Sequence, residues 1–166
     1  RSGFPYSKAL VEREELITGG SIDATYSALN TGIAFNLAGG THHAYPAHAE
    51  GFCIYNDIAV AASEYIAQNT HKQILIVDLD VHQGNGTAHI FRNENQVFTF
   101  SIHGEKNYPL YKEQSDLDIS LSDNISDSQY LDILKVNIDK LIDMVKPDFV
   151  YYLAGVDILA NDKLGK

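Results

Sequence analysis

The chain has 166 residues, enough for one domain with its own core. A formal net charge of −10 argues against nonspecific binding to nucleic acid or anionic membrane. Cys53 is the single cysteine, which excludes an internal disulfide and fits a reducing, cytoplasmic compartment. There is no run of about 18 apolar residues for a transmembrane helix, and "RSGFPYSKAL" lacks the apolar core of a signal peptide. With no starting Met and a loop-like end at "AGVDILANDKLGK", the chain is expected to be a piece of a longer one.

Helices alternate with apolar strands, which predicts an α/β domain with a parallel sheet. Ser7–Ile17 is expected to be a helix stopped by Gly19-Gly20, and Ser21–Leu37 a second, with Ala24 and Ala28 allowing close packing. Residues 38–53, "AGGTHHAYPAHAEGFC", read as a loop. Ile54–Asn69 follows as a helix with Ile58 and Ala62 inward, then Lys72–Leu79 as a strand buried on both faces. Gln96–Ile102 is a second strand. Gly104–Asn124 is a polar loop with a short extended piece at Asp118–Leu121. Ser126–Lys146 is the clearest helix, with the capping pattern Ser126-x-x-Gln129 and an apolar stripe of Leu131, Leu134, Ile138, Leu141 and Val145. Pro147 ends it, and Asp148–Ala154 is a third strand.

Each strand is apolar and turns polar at its carboxyl end, at Asp78-Leu79-Asp80-Val81-His82, at Ser101-Ile102-His103 and at Gly155-Val156-Asp157. Ligands bind outside the carboxyl ends of strands in open α/β sheets, so these ends and the His-rich loop are expected to converge. Asp78, Asp80 and His82 would share a face on a regular strand. Two carboxylates that close repel unless a cation or donor sits between them. Asp80 and His82 suit zinc, which takes O and N ligands and keeps an open position when catalytic, and Asp157 is the natural third ligand. The plainer alternative is that Asp78 or Asp80 caps a turn and His82 is a loop residue.

His42-His43 beside a metal could serve as general base and acid, each needing an orienting partner, for which Asp78 and Asn85 are available. A solvated turn is the other reading of that pair. Gly51-Phe52 could offer a carbonyl and an aromatic wall, or Phe52 could anchor the loop. Tyr108-Pro109 could be a second wall. Cys53 reads as a small buried hydrophobe. His48, His71 and His89 have no evident partner, and His103 is ambiguous. No phosphate-loop pattern or serine nucleophile elbow occurs.

Four segments, "GGTHHAYPAHAEGFCIYNDIAVAA", "ILIVDLDVHQGNGTAHIF", "VFTFSIHGEKNYP" and "LAGVDILANDKLG", span about residues 30–166. In this order they resemble the zinc-dependent histone deacetylase family, particularly its bacterial, class IV-like branch within the arginase/deacetylase superfamily. The resemblance implies a three-layer α/β/α fold around a central parallel sheet, here one partial catalytic domain over residues 1–166. It implies one zinc held by Asp80, His82 and Asp157, with His42 and His43 as tandem catalytic histidines backed by Asp78 and Asn85. In this reading His42 is the base-side residue and His43 carries the proton to the leaving amine.

Gly51, Phe52 and Tyr108 would line the tunnel for an acyl-lysine side chain. Potassium would occupy an inner site at Asp78, Asp80, His82, Ser101 and Ile102 and an outer one at Phe91, Glu94 and Val97. Many relatives have Asp where this chain has Asn85, and a neutral partner should favour a neutral His43. The family's catalytic tyrosine and last strands follow the third ligand and lie beyond this chain, as does its N-terminal strand region.

The expected reaction is hydrolysis of an acetyl or other acyl amide on a lysine side chain or related amine, in a protein, peptide or small molecule. A noncatalytic acyl-lysine-binding module is one alternative. A two-manganese ureohydrolase on the same fold is a weaker one, because its D-x-H-x-D pattern meets Gly84 here. No nucleic-acid or membrane partner is expected, and self-association is possible through exposed sheet edges.

Overall fold

The computed structural model describes residues 2–165. Its elements in chain order are α1 (Lys8–Thr31), α2 (Asp57–Gln68), β1 (Ile74–Asp78), α3 (Asn85–Phe91), β2 (Val97–Gly104), β3 (Leu117–Leu121), α4 (Asp127–Val145) and β4 (Phe149–Leu153). The strands form one parallel sheet in the order β3-β2-β1-β4. No helix among the described residues is long and apolar enough to cross a membrane.

All five residues of β1 are buried, because both faces of this inner strand are covered. Ile74 and Ile76 point into a cluster with Ala59, Ala62, Tyr65 and Ile66 of α2 and Phe91 of α3. Leu75 and Val77 point the other way, to Phe100, Ile102 and Leu121, over which α4 packs through Leu141 and its partly buried neighbours. The result is an α/β/α sandwich, and the period-two alternation of one strand divides its side chains between the two cores.

The α4 helix has its expected capping box: the Ser126 side chain accepts from the Gln129 N–H, and the Gln129 side chain reaches back to the Ser126 backbone. Its apolar stripe is rotated slightly from the expected one. Tyr130 and Ile133 join Leu134, Ile138, Leu141 and Val145 against the core, whereas Leu131 points outward.

The structure departs from the sequence reading in three places. Gly19-Gly20 does not stop a helix, and α1 runs unbroken to a left-handed cap at Gly32. Two interior glycines weaken a helix by about 1 kcal/mol each without forbidding it, and Gly20 makes room for a returning strap. The Asn36 amide lies against it, donating to the Ile17 carbonyl and to Ser21 Oγ. Residues 33–37 are accordingly outside the helix. The short helix α3 is not signalled by its Gly-rich sequence. It forms because Gly86 fits against the carbonyls of His42 and Ala44, where a Cβ would lie 2.2 Å from Ala44 O, and because Thr87 N–H donates to His42 O.

The third correction concerns "DLDVH". The strand ends at Asp78, and Asp80 and His82 lie in a bend rather than along one strand face. Asp78 Oδ1 accepts from Asp80 N–H at 3.1 Å, and Asp80 Oδ1 from His82 N–H at 2.8 Å. Two successive Asx turns thus replace the ladder, as short carboxylates do when they compete for backbone donors.

Candidate active site

The carboxyl ends of β1 and β4 lie side by side, since Asp78 is in register with Leu153. Beyond them Asp157 Oδ1 accepts from Val81 N–H at 3.1 Å, which clips the loop after β4 to the loop after β1. That contact brings together Asp80, His82 and Asp157, whose ligand atoms all lie within 4.8 Å of one another. His82 Nδ1 stands 2.9 Å from both Asp80 Oδ1 and Asp157 Oδ2, so this nitrogen faces the two carboxylates. Burial and the charge of Asp80 hold the Asp157 carboxyl above the usual carboxylate range, while the Asp80 hydrogen bond raises the His82 imidazole. Facing carboxylates in a partly buried pocket, with one imidazole nitrogen turned toward them, fit a metal ion.

The His pair lies against this set. A carboxyl anchors the strap 39–41 that leads into it: Asp57 Oδ1 accepts from Gly40 N–H, Thr41 N–H and Thr41 Oγ1, and Asp57 Oδ2 from Ser21 Oγ. His42 Nδ1 is 2.6 Å from Asp78 Oδ2, and its Nε2 is 3.8 Å from Asp80 Oδ1. His43 Nδ1 is 2.7 Å from Asn85 Oδ1, and the two imidazole rings are 4.1 Å apart.

Burial acts to lower the His42 imidazole, but the charge and hydrogen bond of Asp78, with Asp80 and Asp157 behind it, raise it to about 9. Burial and the adjacent His42 push His43 down to about 3. A neutral His43 was expected from Asn85. Here the Asn85 hydrogen bond acts upward, and burial together with the adjacent His42 outweighs it.

Gly51 and Phe52 both have positive φ, 53° and 63°, inside a bridge between Glu50 and Cys53. This is the two-residue turn that requires left-handed backbone at both central positions. Gly51 is needed twice over, because a Cβ there would lie 2.5 Å from His43 Cδ2. Phe52 is exposed and its ring contacts Phe4, while the Tyr108 ring stands edge-on to His43 at 5.0 Å.

Ser101 is in register with Asp78, and both line a cavity of about 10 Å³ together with Gly84, Thr87, Ala88 and Thr99, whereas Asp80, His82 and Ile102 do not line it. Phe91, Glu94 and Val97 sit at the opposite end of β2, and the Phe91 and Glu94 carbonyls already accept from Glu94 and Val97 N–H. His103 is buried between Ser101 Oγ and Ser120 Oγ. His71 is exposed. His48 and His89, which lacked partners in the sequence, both pack on Tyr45, and His48 Nε2 also lies 3.2 Å from Glu50. Cys53 is buried, and burial pushes its thiol up to about 12. It is therefore expected to resist iodoacetamide at pH 8 until denaturant is added; rapid labelling of the folded chain would contradict that burial.

Gly84 removes the two-manganese alternative. A carboxylate two residues after His82 would need a Cβ at Gly84, and that Cβ would lie 2.3 Å from Asp78 Oδ2 and 3.2 Å from His42 Nδ1. The orienting carboxyl of the His pair occupies the space a second-metal ligand would require.

A parallel sheet that gathers an Asp-His-Asp donor set and two oriented histidines beyond its carboxyl ends defines the arginase/deacetylase class of α/β domain. The chain belongs to the histone deacetylase domain family, which matches it over residues 1–166. It is 49% identical over its whole length to an uncharacterised protein of Picosynechococcus sp., of which it covers 55%. It is 36% identical over 163 residues to the acetoin utilization protein AcuC of Staphylococcus aureus, with 89% of this chain and 41% of that protein covered. The crystal structure of an HDAC homolog from Aquifex aeolicus superimposes with a TM-score of 0.83 at 29% identity, over 93% of this chain and 45% of that one. The chain thus spans about half the length of the relatives it matches.

Proposed function

We propose that the protein hydrolyses an acyl amide, with acetyl-lysine or a related acetylated amine as substrate, using one zinc ion held by Asp80, His82 and Asp157. The observation that carries this reading is the 3.8 Å between His42 Nε2 and Asp80 Oδ1, which sets an oriented histidine pair against a three-donor metal set. A bound zinc would supply Lewis-acid polarisation of the acyl carbonyl and a more acidic water.

The chain's own residues supply the proton handling. Asp78 fixes the His42 ring and favours its imidazolium, whereas His43, neutral and backed by Asn85, presents a free nitrogen. These environments support moving the base role expected of His42 to His43: His43 accepts the proton of the attacking water and, as expected, passes it to the leaving amine, and His42 with Asp78 stabilises developing negative charge. Gly51 and Tyr108 lie against His43 and support an acyl-chain entrance on that side, with the exposed Phe52 ring at its outer edge as the proposed third member. An inner potassium site at Asp78, Asp80, His82, Ser101 and Ile102 is proposed from the family resemblance, with Asp78 and Ser101 adjacent in register. By the family resemblance a tyrosine donor would follow in later sequence, and turnover is proposed for the whole protein, in the cytoplasm.

The test is to measure zinc and manganese per chain, and then acetate release from acetyl-lysine peptides and acetylated polyamines, for this chain and for any longer product of its gene. About one zinc with acetate release is expected. Retention of acetylated ligand without acetate release in every form would make the protein a binding module, and absence of metal from every form would overturn the reading.

A further inference from the structure

Glu50 belongs to no part of the machinery so far described, yet its carboxylate meets three groups, two of which touch His43. Tyr108 OH donates to Glu50 Oε1 at 2.6 Å, and Asn85 Nδ2 donates to the same oxygen at 2.8 Å. His48 Nε2 lies 3.2 Å from Oε2. The tight turn at Gly51-Phe52 holds Glu50 there, because Glu50 and Cys53 exchange both backbone hydrogen bonds across it. Burial acts to raise the Glu50 carboxyl, but the bonds from Tyr108, Asn85 and His48 hold it below the usual carboxylate range.

An ionised carboxylate can only accept hydrogen bonds. The Asn85 side chain must therefore turn its NH₂ toward Glu50 and its oxygen toward His43. An amide oxygen also only accepts, so His43 Nδ1 must carry the hydrogen, and Nε2 is left with the lone pair. The remaining Asn85 hydrogen faces Tyr45 OH at 3.2 Å, whose own proton goes to Glu113. Glu50 thus sets the polarity of a chain of bonds that ends on the imidazole, and it tethers the Tyr108 ring standing edge-on to that imidazole.

We propose that Glu50 is a positioning residue: its carboxylate orients the Asn85 amide, through it fixes the Nδ1–H tautomer of His43, and anchors Tyr108 against the same ring. Its catalytic meaning rests on the reading of His43 as proton carrier. The bond chain itself does not, and neither do the tests, which use no substrate and no metal.

The first test is the imidazole ¹⁵N spectrum of His43 at pH 7.5 in the wild type, Glu50→Gln and Glu50→Ala, with His103 as internal control. The wild type is expected to show one tautomer, protonated at Nδ1. Glu50→Gln keeps an acceptor oxygen and is expected to retain it. Glu50→Ala leaves only Tyr45 to orient the amide and is expected to give a mixture of tautomers, with His103 unchanged. A wild-type His43 spectrum in Glu50→Ala overturns the proposal.

The second test survives any misfolding of the alanine variant. Asn85→Asp sets a carboxylate oxygen against Glu50 with no donor between them, and is expected to lower Tm by about 4 °C. Adding Glu50→Gln restores a donor and is expected to recover most of the loss. Additive shifts would show that positions 50 and 85 do not interact, and would also overturn the proposal. If both tests succeed and acetate release is never seen, only the deacetylase reading falls.

Discussion

Asp80→Ala is expected to leave the chain folded and unable to retain zinc. Asp80 is part-exposed and bears no core packing. Its carboxylate supplies one of the three donors and also holds His82 in place by accepting from its backbone N–H. Losing it leaves two donors and a less constrained ring. The affinity loss should exceed the roughly 10–100-fold typical when only an outer-shell partner of a metal ligand is removed. Zinc per chain after dialysis, with a calorimetric titration, would measure it. Asp80→Asn keeps an oxygen to accept from His82 N–H while dropping the charge, so comparing the two variants separates loop shaping from metal holding. An Asp80→Ala chain that still carries about one zinc would refute the ligand assignment.

Asp57→Ala is expected to have the largest effect on stability of any change near the site. The side chain is fully buried and receives four donors, from Ser21, Gly40 and both the N–H and hydroxyl of Thr41. Truncation leaves those donors without a partner in a space water cannot readily fill, at about 1–3 kcal/mol for each buried group left unpaired. Even partial relaxation should leave a loss of about 3–5 kcal/mol, a large part of a typical domain's total, and lower Tm by about 10 °C. Because the strap it anchors leads directly into His42, the His42–Asp78 contact should loosen as well. Thermal melting of wild type, Asp57→Asn and Asp57→Ala would check this, with the asparagine variant expected between the other two. A Tm within about 2 °C of wild type for Asp57→Ala would show that the anchor is dispensable.

The parts legible in the sequence are those whose signal is local. Apolar runs announce β1, β2 and β4, and the capping box announces α4, because strand burial and helix capping are written within a few residues. The site was legible where strand ends meet, since a parallel sheet delivers its carboxyl ends to one edge whatever the loops do. The rest depends on contacts between distant segments. Gly20 looks like a stop until Asn36 lies over it. Gly84 and Gly86 look like a loose loop until the His42–Ala44 backbone packs against α3. Asp78 and Asp80 look like a choice between turn-forming and site-building, whereas each does both: Asp78 forms a turn with one oxygen and orients His42 with the other, and the Asp80 carboxylate forms a turn and joins the donor set. Glu50 carried no signal at all, because its partners Asn85 and Tyr108 are remote in sequence.

The sheet order also bears on how the site comes into being. β4, the last strand in the chain, docks beside β1, whose end leads into Asp80 and His82, and Asp157 follows β4 directly. The donor set is therefore complete only after the most distant strand pairing of this sheet has formed, and such long-range parallel pairings form slowly. A metal that needs all three donors binds this docked form in preference to intermediates with β4 still free, and mass action then draws the chain toward it. Zinc added during refolding should consequently raise the yield of chains with β4 in place, and a chelator should expose β4 to protease before the β1–β2 pair.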